Sequence, residues 1–149
     1  MINFITNRFT KKICTFFLSA VLLAALVVTA TGQAQDVSYP SEEPILVKAV
    51  MCESIQKFAP VNQAVVFSID LDRISCFTEF DPVPVQTVIY HKWYHRGVLV
   101  SAKQFTINPP RWSSFSSMQL RDADKGPWQV EVTDKTGNLL NTLRFSITD

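Results

Sequence analysis

From Ile45 to Ile147 the chain breaks into short runs rich in Val, Ile, Phe, Thr and Tyr, separated by Pro, Gly, Asn and Asp. No stretch in that span holds a 3.6-residue apolar period, so a helical core has nothing to build on. β-branched and aromatic residues suit a pleated, half-buried surface, and turn residues at this spacing suit a sandwich. The pattern therefore predicts an all-β domain: a small antiparallel immunoglobulin-like β-sandwich of about seven or eight strands, with a small closed barrel as the second arrangement. The expected strands are Ile45 to Cys52, Gln63 to Ile69, Ile74 to Phe80, Val85 to His95, Val98 to Ile107, Trp112 to Leu120, Trp128 to Thr133 and Leu140 to Ile147.

Alternation is cleanest at the end of the chain. Trp128, Val130 and Val132 share one parity, as do Leu143, Phe145 and Ile147, with Gln129, Glu131, Arg144 and Ser146 opposite. Between these runs Asp134 to Asn138 carries Gly137, suited to a left-handed turn position, and predicts a hairpin. His95-Arg96-Gly97 predicts a second. In the strand that follows, Val98, Val100 and Ala102 lie on one parity and Phe105 and Ile107 on the other, a phase change that predicts a β-bulge near Lys103.

The N-terminus has the layout of a secretory signal. A basic segment ends in Lys11-Lys12, an apolar run extends from Ile13 to Ala30, and the small-residue site Gly32-Gln33-Ala34 follows. Residues 1–34 are read as a signal peptide, 35–44 as a Pro- and acid-containing linker, and 45–149 as the domain. The apolar run exceeds the roughly 7–15 residues usual in such signals, so an uncleaved membrane anchor is the alternative. Both place the domain outside the cytoplasm, in the periplasm or cell envelope. Cys14 opens the apolar run instead of following it, which does not fit a lipid-modified cysteine. Two cysteines remain, Cys52 and Cys76; an even number in an oxidising compartment makes them a candidate disulfide, with two separately buried thiols as the alternative. They are too few and too far apart in sequence for a zinc site.

Several short elements run in order through the domain: Cys52, Ser75-Cys76-Phe77-Thr78, His91-Lys92-Trp93, Gly97, Arg111-Trp112 with Ser116-Ser117, Gly126-x-Trp128-x-Val130, and Asp134 to Gly137 with Leu140 and Phe145. Together they resemble the bacterial domain-of-unknown-function family numbered 2914. The resemblance implies a compact β-rich domain and carries no activity or catalytic residue with it. It also implies a basic residue after Trp112, where this chain has Ser113, and so a weakened basic site if one belongs to the family.

Lys and Arg number 14 against 13 Asp and Glu, without the clustered positive charge that nucleic acid binding needs. His91 and His95 fall on one face of an expected strand and are weak metal candidates lacking a third ligand. His91 shares parity with Ile89 and Trp93, which suits a hydrogen-bonded sheet histidine, and His95 is expected to be solvated at its turn. Asp70 with Asp72, and Asp122 with Asp124, sit in expected turns, where Asp bonds local backbone. No Gly-x-Ser-x-Gly elbow or phosphate-binding glycine loop occurs. An enzyme is therefore the minority reading, an envelope hydrolase or metal-dependent enzyme using the His91 region. No cofactor is expected.

The leading reading is a non-enzymatic binding or structural module that contacts an envelope protein or glycan. Trp93 and Trp128 are assigned to the core by parity. The candidate ligand surface is Arg111, Trp112, Ser113, Phe115 and Ser117, which follows Pro109-Pro110 and combines a guanidinium, two rings and hydroxyls. Within it Trp112 shares parity with Met118 and Leu120, whereas Arg111, Ser113, Phe115 and Ser117 lie opposite; an ordinary half-polar strand surface is the competing account.

Overall fold

The computed structural model describes residues 42–149. The expected signal segment, its cleavage after Ala34 and most of the linker lie outside the described residues. The strands are β1 (Leu46–Gln56), β2 (Ala59–Gln63), β3 (Val66–Ser68), β4 (Arg73–Phe80), β5 (Thr87–His95), β6 (Val98–Ile107), β7 (Trp112–Gln119), β8 (Gly126–Asp134) and β9 (Leu139–Thr148). They form a four-stranded sheet in the order β2-β1-β4-β7 and a five-stranded sheet in the order β3-β9-β8-β5-β6. The chain changes sheet between β2 and β3, β3 and β4, β4 and β5, β6 and β7, and β7 and β8, which is the connectivity of an immunoglobulin-like sandwich whose first strand is split between the sheets.

Two departures from expectation lie at the start of the domain. The run Gln63 to Ile69 is not one strand: β2 ends at Gln63, β3 covers only Val66–Ser68, and a single 3-10 turn at Ile69–Leu71 follows. β3 also pairs parallel to β9, so the second sheet is mixed and not purely antiparallel. Both acids sit in a turn as expected, but the side chain that bonds its backbone is Ser68, whose Oγ accepts from the Asp70 amide, while Asp72 closes the turn at φ 57°.

Both predicted hairpins are present. Arg96 and Gly97 take φ 50° and 81° between β5 and β6, and Gly137 takes 92° between β8 and β9. The bulge exists but is displaced. Trp93 pairs with Ser101 and Tyr94 with Leu99, so the extra residue is Val100 and not one near Lys103. Parity alone locates a phase change only between the last residue of one phase and the first of the next. A third tight turn joins β1 to β2 through Lys57 and Phe58, at φ 48° and 60°.

Alternation builds the core as two apolar clusters. One gathers Met51, Phe67, Ile74, Cys76, Trp93, Trp128, Val130, Phe145 and Ile147, and the other Phe80, Val83, Ile89, Ile107 and Val132. Thr78 lies between Cys76 and Phe80 on β4, and His91 between Trp93 and Ile89 on β5, so a buried polar layer separates the clusters. Trp128 and Trp93 are core residues, as their parity predicts.

Cys52 and Cys76 are free thiols, which corrects the expected bridge. Cys76 pairs with Met51 and Cys52 with Ser75 in the β1–β4 ladder, so the register sends the two side chains to opposite faces of one sheet. Both are buried and both thiols are pushed up by burial, which makes them poor nucleophiles. In immunoglobulin domains a buried Trp packs on a bridge linking the sheets. Here Trp93 and Cys76 share a cluster, and β8 supplies Val130 to it, so Cys76 has no cysteine to meet across the sheets.

Candidate binding face

β7 is an edge strand that pairs only with β4, in unbroken register from Arg73 opposite Gln119 to Phe80 opposite Trp112. Its serines therefore separate by parity. Ser114 and Ser116 point between the sheets and are buried, whereas Ser113, Phe115 and Ser117 stand on the open face.

Ser116 joins the polar layer through its hydroxyl and Ser114 through its carbonyl, the buried Ser114 hydroxyl having no partner among the described residues. Trp93 Nε1 donates to Ser116 Oγ at 2.9 Å, and Ser116 Oγ lies 2.9 Å from His91 Nδ1. His91 Nε2 lies 3.0 Å from Thr78 Oγ1, which donates to the Ser114 carbonyl at 3.4 Å. One assignment satisfies the chain from Trp93 to the Ser114 carbonyl: Ser116 donates to Nδ1, and His91 carries its proton on Nε2 and donates to Thr78. Burial pushes the His91 pKa down to about 4, so the ring is neutral at ordinary pH. His91 exposes no surface at all, and the Phe105 ring lies 4.8 Å away by centroid. A group so enclosed cannot meet a substrate. His95 is not simply solvated: it stacks on Trp128 at 4.4 Å and 8°, with Nε2 3.3 Å from the Lys125 carbonyl. Among the described residues no three His, Cys, Asp or Glu side chains are placed to hold a metal ion.

The outward residues form a different surface. Across the β4–β7 ladder Ser117 faces Ser75, Phe115 faces Phe77, and Ser113 faces Glu79. Ser75 Oγ and Ser117 Oγ are 2.8 Å apart. Phe77 is buried beneath Lys48, whose Nζ stands 5.9 Å from the ring centroid, while Phe115 remains 45% exposed. Arg111, just before the strand, pairs with Glu79 and lies 3.8 Å from Asp81, its side chain 61% exposed. Four of the five sequence candidates are thus on one face. Trp112 is the exception: it takes the inward parity opposite Phe80 at the strand's start, where the sheet edge leaves it partly exposed.

The face also has a wall that the sequence did not announce. The β1–β2 turn carries Phe58, 84% exposed, and borders an open groove of about 430 Å³ with Ser54, Lys57, Arg73, Ser75, Phe115 and Ser117. Positive φ costs a residue with a side chain about 1–2 kcal/mol, and turns of this kind ordinarily use Asn-Gly. Without glycine or asparagine, Lys57-Phe58 gave no turn signal, and the hairpin went unseen. The only trace in the sequence is Pro60, which fits an edge strand such as β2.

These features define a class: a two-sheet β-sandwich with a sealed polar core and one open, ring- and hydroxyl-bearing face. Residues 86–147, which run from just before β5 into β9, match the sequence model of a family described as a protein of unknown function, DUF2914, in agreement with the resemblance carried by the motifs. No curated protein matches the chain. Arg111 to Ser117 fall inside the matched span, and Lys57, Phe58 and Arg73 outside it.

Proposed function

We propose that the domain is exported to the periplasm or cell envelope and acts there as a non-enzymatic binding module, contacting an envelope protein or glycan through the open face of the four-stranded sheet. The observation that carries this reading is the division of β7. Inward, the Ser116 hydroxyl and the Ser114 carbonyl are bonded within the polar layer; outward, Phe115 stays half exposed between Ser113 and Ser117, with Arg111 further along the same face. Rings beside hydrogen-bonding side chains are the usual makings of a recognition surface. The export half of the reading rests on the basic, apolar and small-residue layout of the first 34 residues.

The test is retention of the purified protein on isolated envelopes. Arg111→Ala is expected to weaken retention about 10-fold, or about 1.4 kcal/mol, with little change in stability. Phe115→Asp is expected to abolish it. Val98→Asp, at a more exposed apolar site on the five-stranded sheet, serves as control and should bind like the parent. Equal retention of all three variants removes the open face from consideration.

A further inference from the structure

We infer that the groove between Phe58 and Phe115 takes an acidic glycan, a sugar chain bearing carboxylate or phosphate groups; this deepens the binding-module reading and rests on it. Three features point to that chemistry. The groove floor carries the hydroxyls of Ser54, Ser75 and Ser117, which can donate to and accept from a ligand dense in its own hydroxyls. Phe58 and Phe115 offer ring faces that the apolar face of a pyranose can cover. Lys57 and Arg73 border the same groove, and neither forms an ion pair among the described residues. The one carboxylate in the lining, Glu53, is held by Asn62 Nδ2 at 2.7 Å. Two cations thus stand against one carboxylate, so the lining keeps a net positive charge where a ligand anion would lie, and Arg73 can grip a carboxylate or phosphate with paired donors.

Two competing ligands fit less well. The groove lies on the sheet face across β1, β4 and β7, so a peptide seated in it would meet side chains, and the free main-chain groups of the β7 edge point away from it in the plane of the sheet. A lipid surface would touch the Phe58 tip and leave the concave hydroxyl floor unused. The turn geometry adds independent weight. Lys57 and Phe58 both hold positive φ, unusual for bulky residues, and the turn presents the ring to solvent instead of burying it.

The test uses the exported protein purified from cells making the full chain, titrated calorimetrically with four probes: tetragalacturonate, the neutral tetramer cellotetraose, a hexaglutamate peptide, and vesicles of phosphatidylglycerol and phosphatidylcholine. Tetragalacturonate should bind at least about 10-fold more tightly than cellotetraose, a gap of about 1.4 kcal/mol. Added salt should weaken it. Arg73→Gln and Phe58→Ala should each reduce that binding by about 10-fold while the melting temperature holds within a few degrees. The inference is overturned by equal binding of the neutral sugar, by tighter binding of hexaglutamate or vesicles, by no binding of tetragalacturonate, or by indifference to both substitutions. If tetragalacturonate fails while Phe115→Asp still loses envelope retention, only the ligand class is wrong. If Phe115→Asp keeps full retention, the binding-module reading itself falls.

Discussion

Ser116 and Ser117 are neighbours on one edge strand and live under opposite physical regimes. Ser116 is buried, accepts from the Trp93 indole and engages the His91 ring, so its hydroxyl is part of what closes the sandwich. Ser117 is exposed and hydrogen-bonds through its hydroxyl with Ser75, at the floor of an open groove. A strand with period two can serve stability with one face and recognition with the other, and substitutions one residue apart then have unrelated consequences.

The inward side should show the largest effect, through His91. Its folded-state pKa of about 4 lies below the ordinary 6.5, so between those values the unfolded chain binds a proton that the folded chain refuses. Stability is therefore full above pH 6.5 and falls as pH drops towards 4, by about 3 kcal/mol in all. Chemical denaturation at a series of pH values should reveal this slope. His91→Gln should remove that part of it, leaving the slope of the carboxylates. Identical pH dependence in parent and variant would mean that the ring is not buried neutral.

A smaller effect separates the serines. Ser116→Ala leaves the Trp93 N–H and His91 Nδ1 without their partner in a dry core, and should cost about 2 kcal/mol, or about 8–16 °C in melting temperature. Ser117→Ala should change stability by less than about 0.5 kcal/mol. Comparable losses in both variants would put Ser117 in the core and the outer face out of consideration.

The smallest effects concern the turns. Arg96-Gly97 and Lys57-Phe58 both hold two successive positive φ values, yet only the first uses glycine. Phe58→Gly relieves left-handed strain at a ring that buries little, and should stabilise the domain by about 0.5–1 kcal/mol while weakening binding. Gly97→Ala has open space for its methyl but the wrong φ, and should cost about 1 kcal/mol. Thermal melts of the two variants, run in parallel, check the opposite signs.

The same pair of turns explains what could be read from the sequence. Gly97 and Gly137 mark their hairpins because glycine is the ordinary solution for positive φ, and the flanking strands then follow from alternation. Lys57-Phe58 uses residues that read as a continuing strand, so β2 was missed, and with it the wall of the groove. The outward stripe of Arg111, Ser113, Phe115 and Ser117 was visible as parity. What covers that face was not, because Arg73, Ser54 and Phe58 come from other strands and a turn, joined to it only by pairing register. The expected disulfide failed for the same reason: two cysteines can be counted in a sequence, but the face each one takes depends on register with a partner strand.

The most direct measurement is hydroxyl-radical footprinting of the unmodified protein with and without isolated envelopes. Exposed aromatic and aliphatic side chains are the reporters, and both surfaces offer them: Phe58 and Phe115 at the groove, Val98, Leu99 and Leu139 on the five-stranded sheet. Envelopes should protect Phe58 and Phe115 and leave Val98, Leu99 and Leu139 as reactive as before. Protection of the second set with Phe58 and Phe115 unchanged would contradict a recognition site on the open face of the four-stranded sheet.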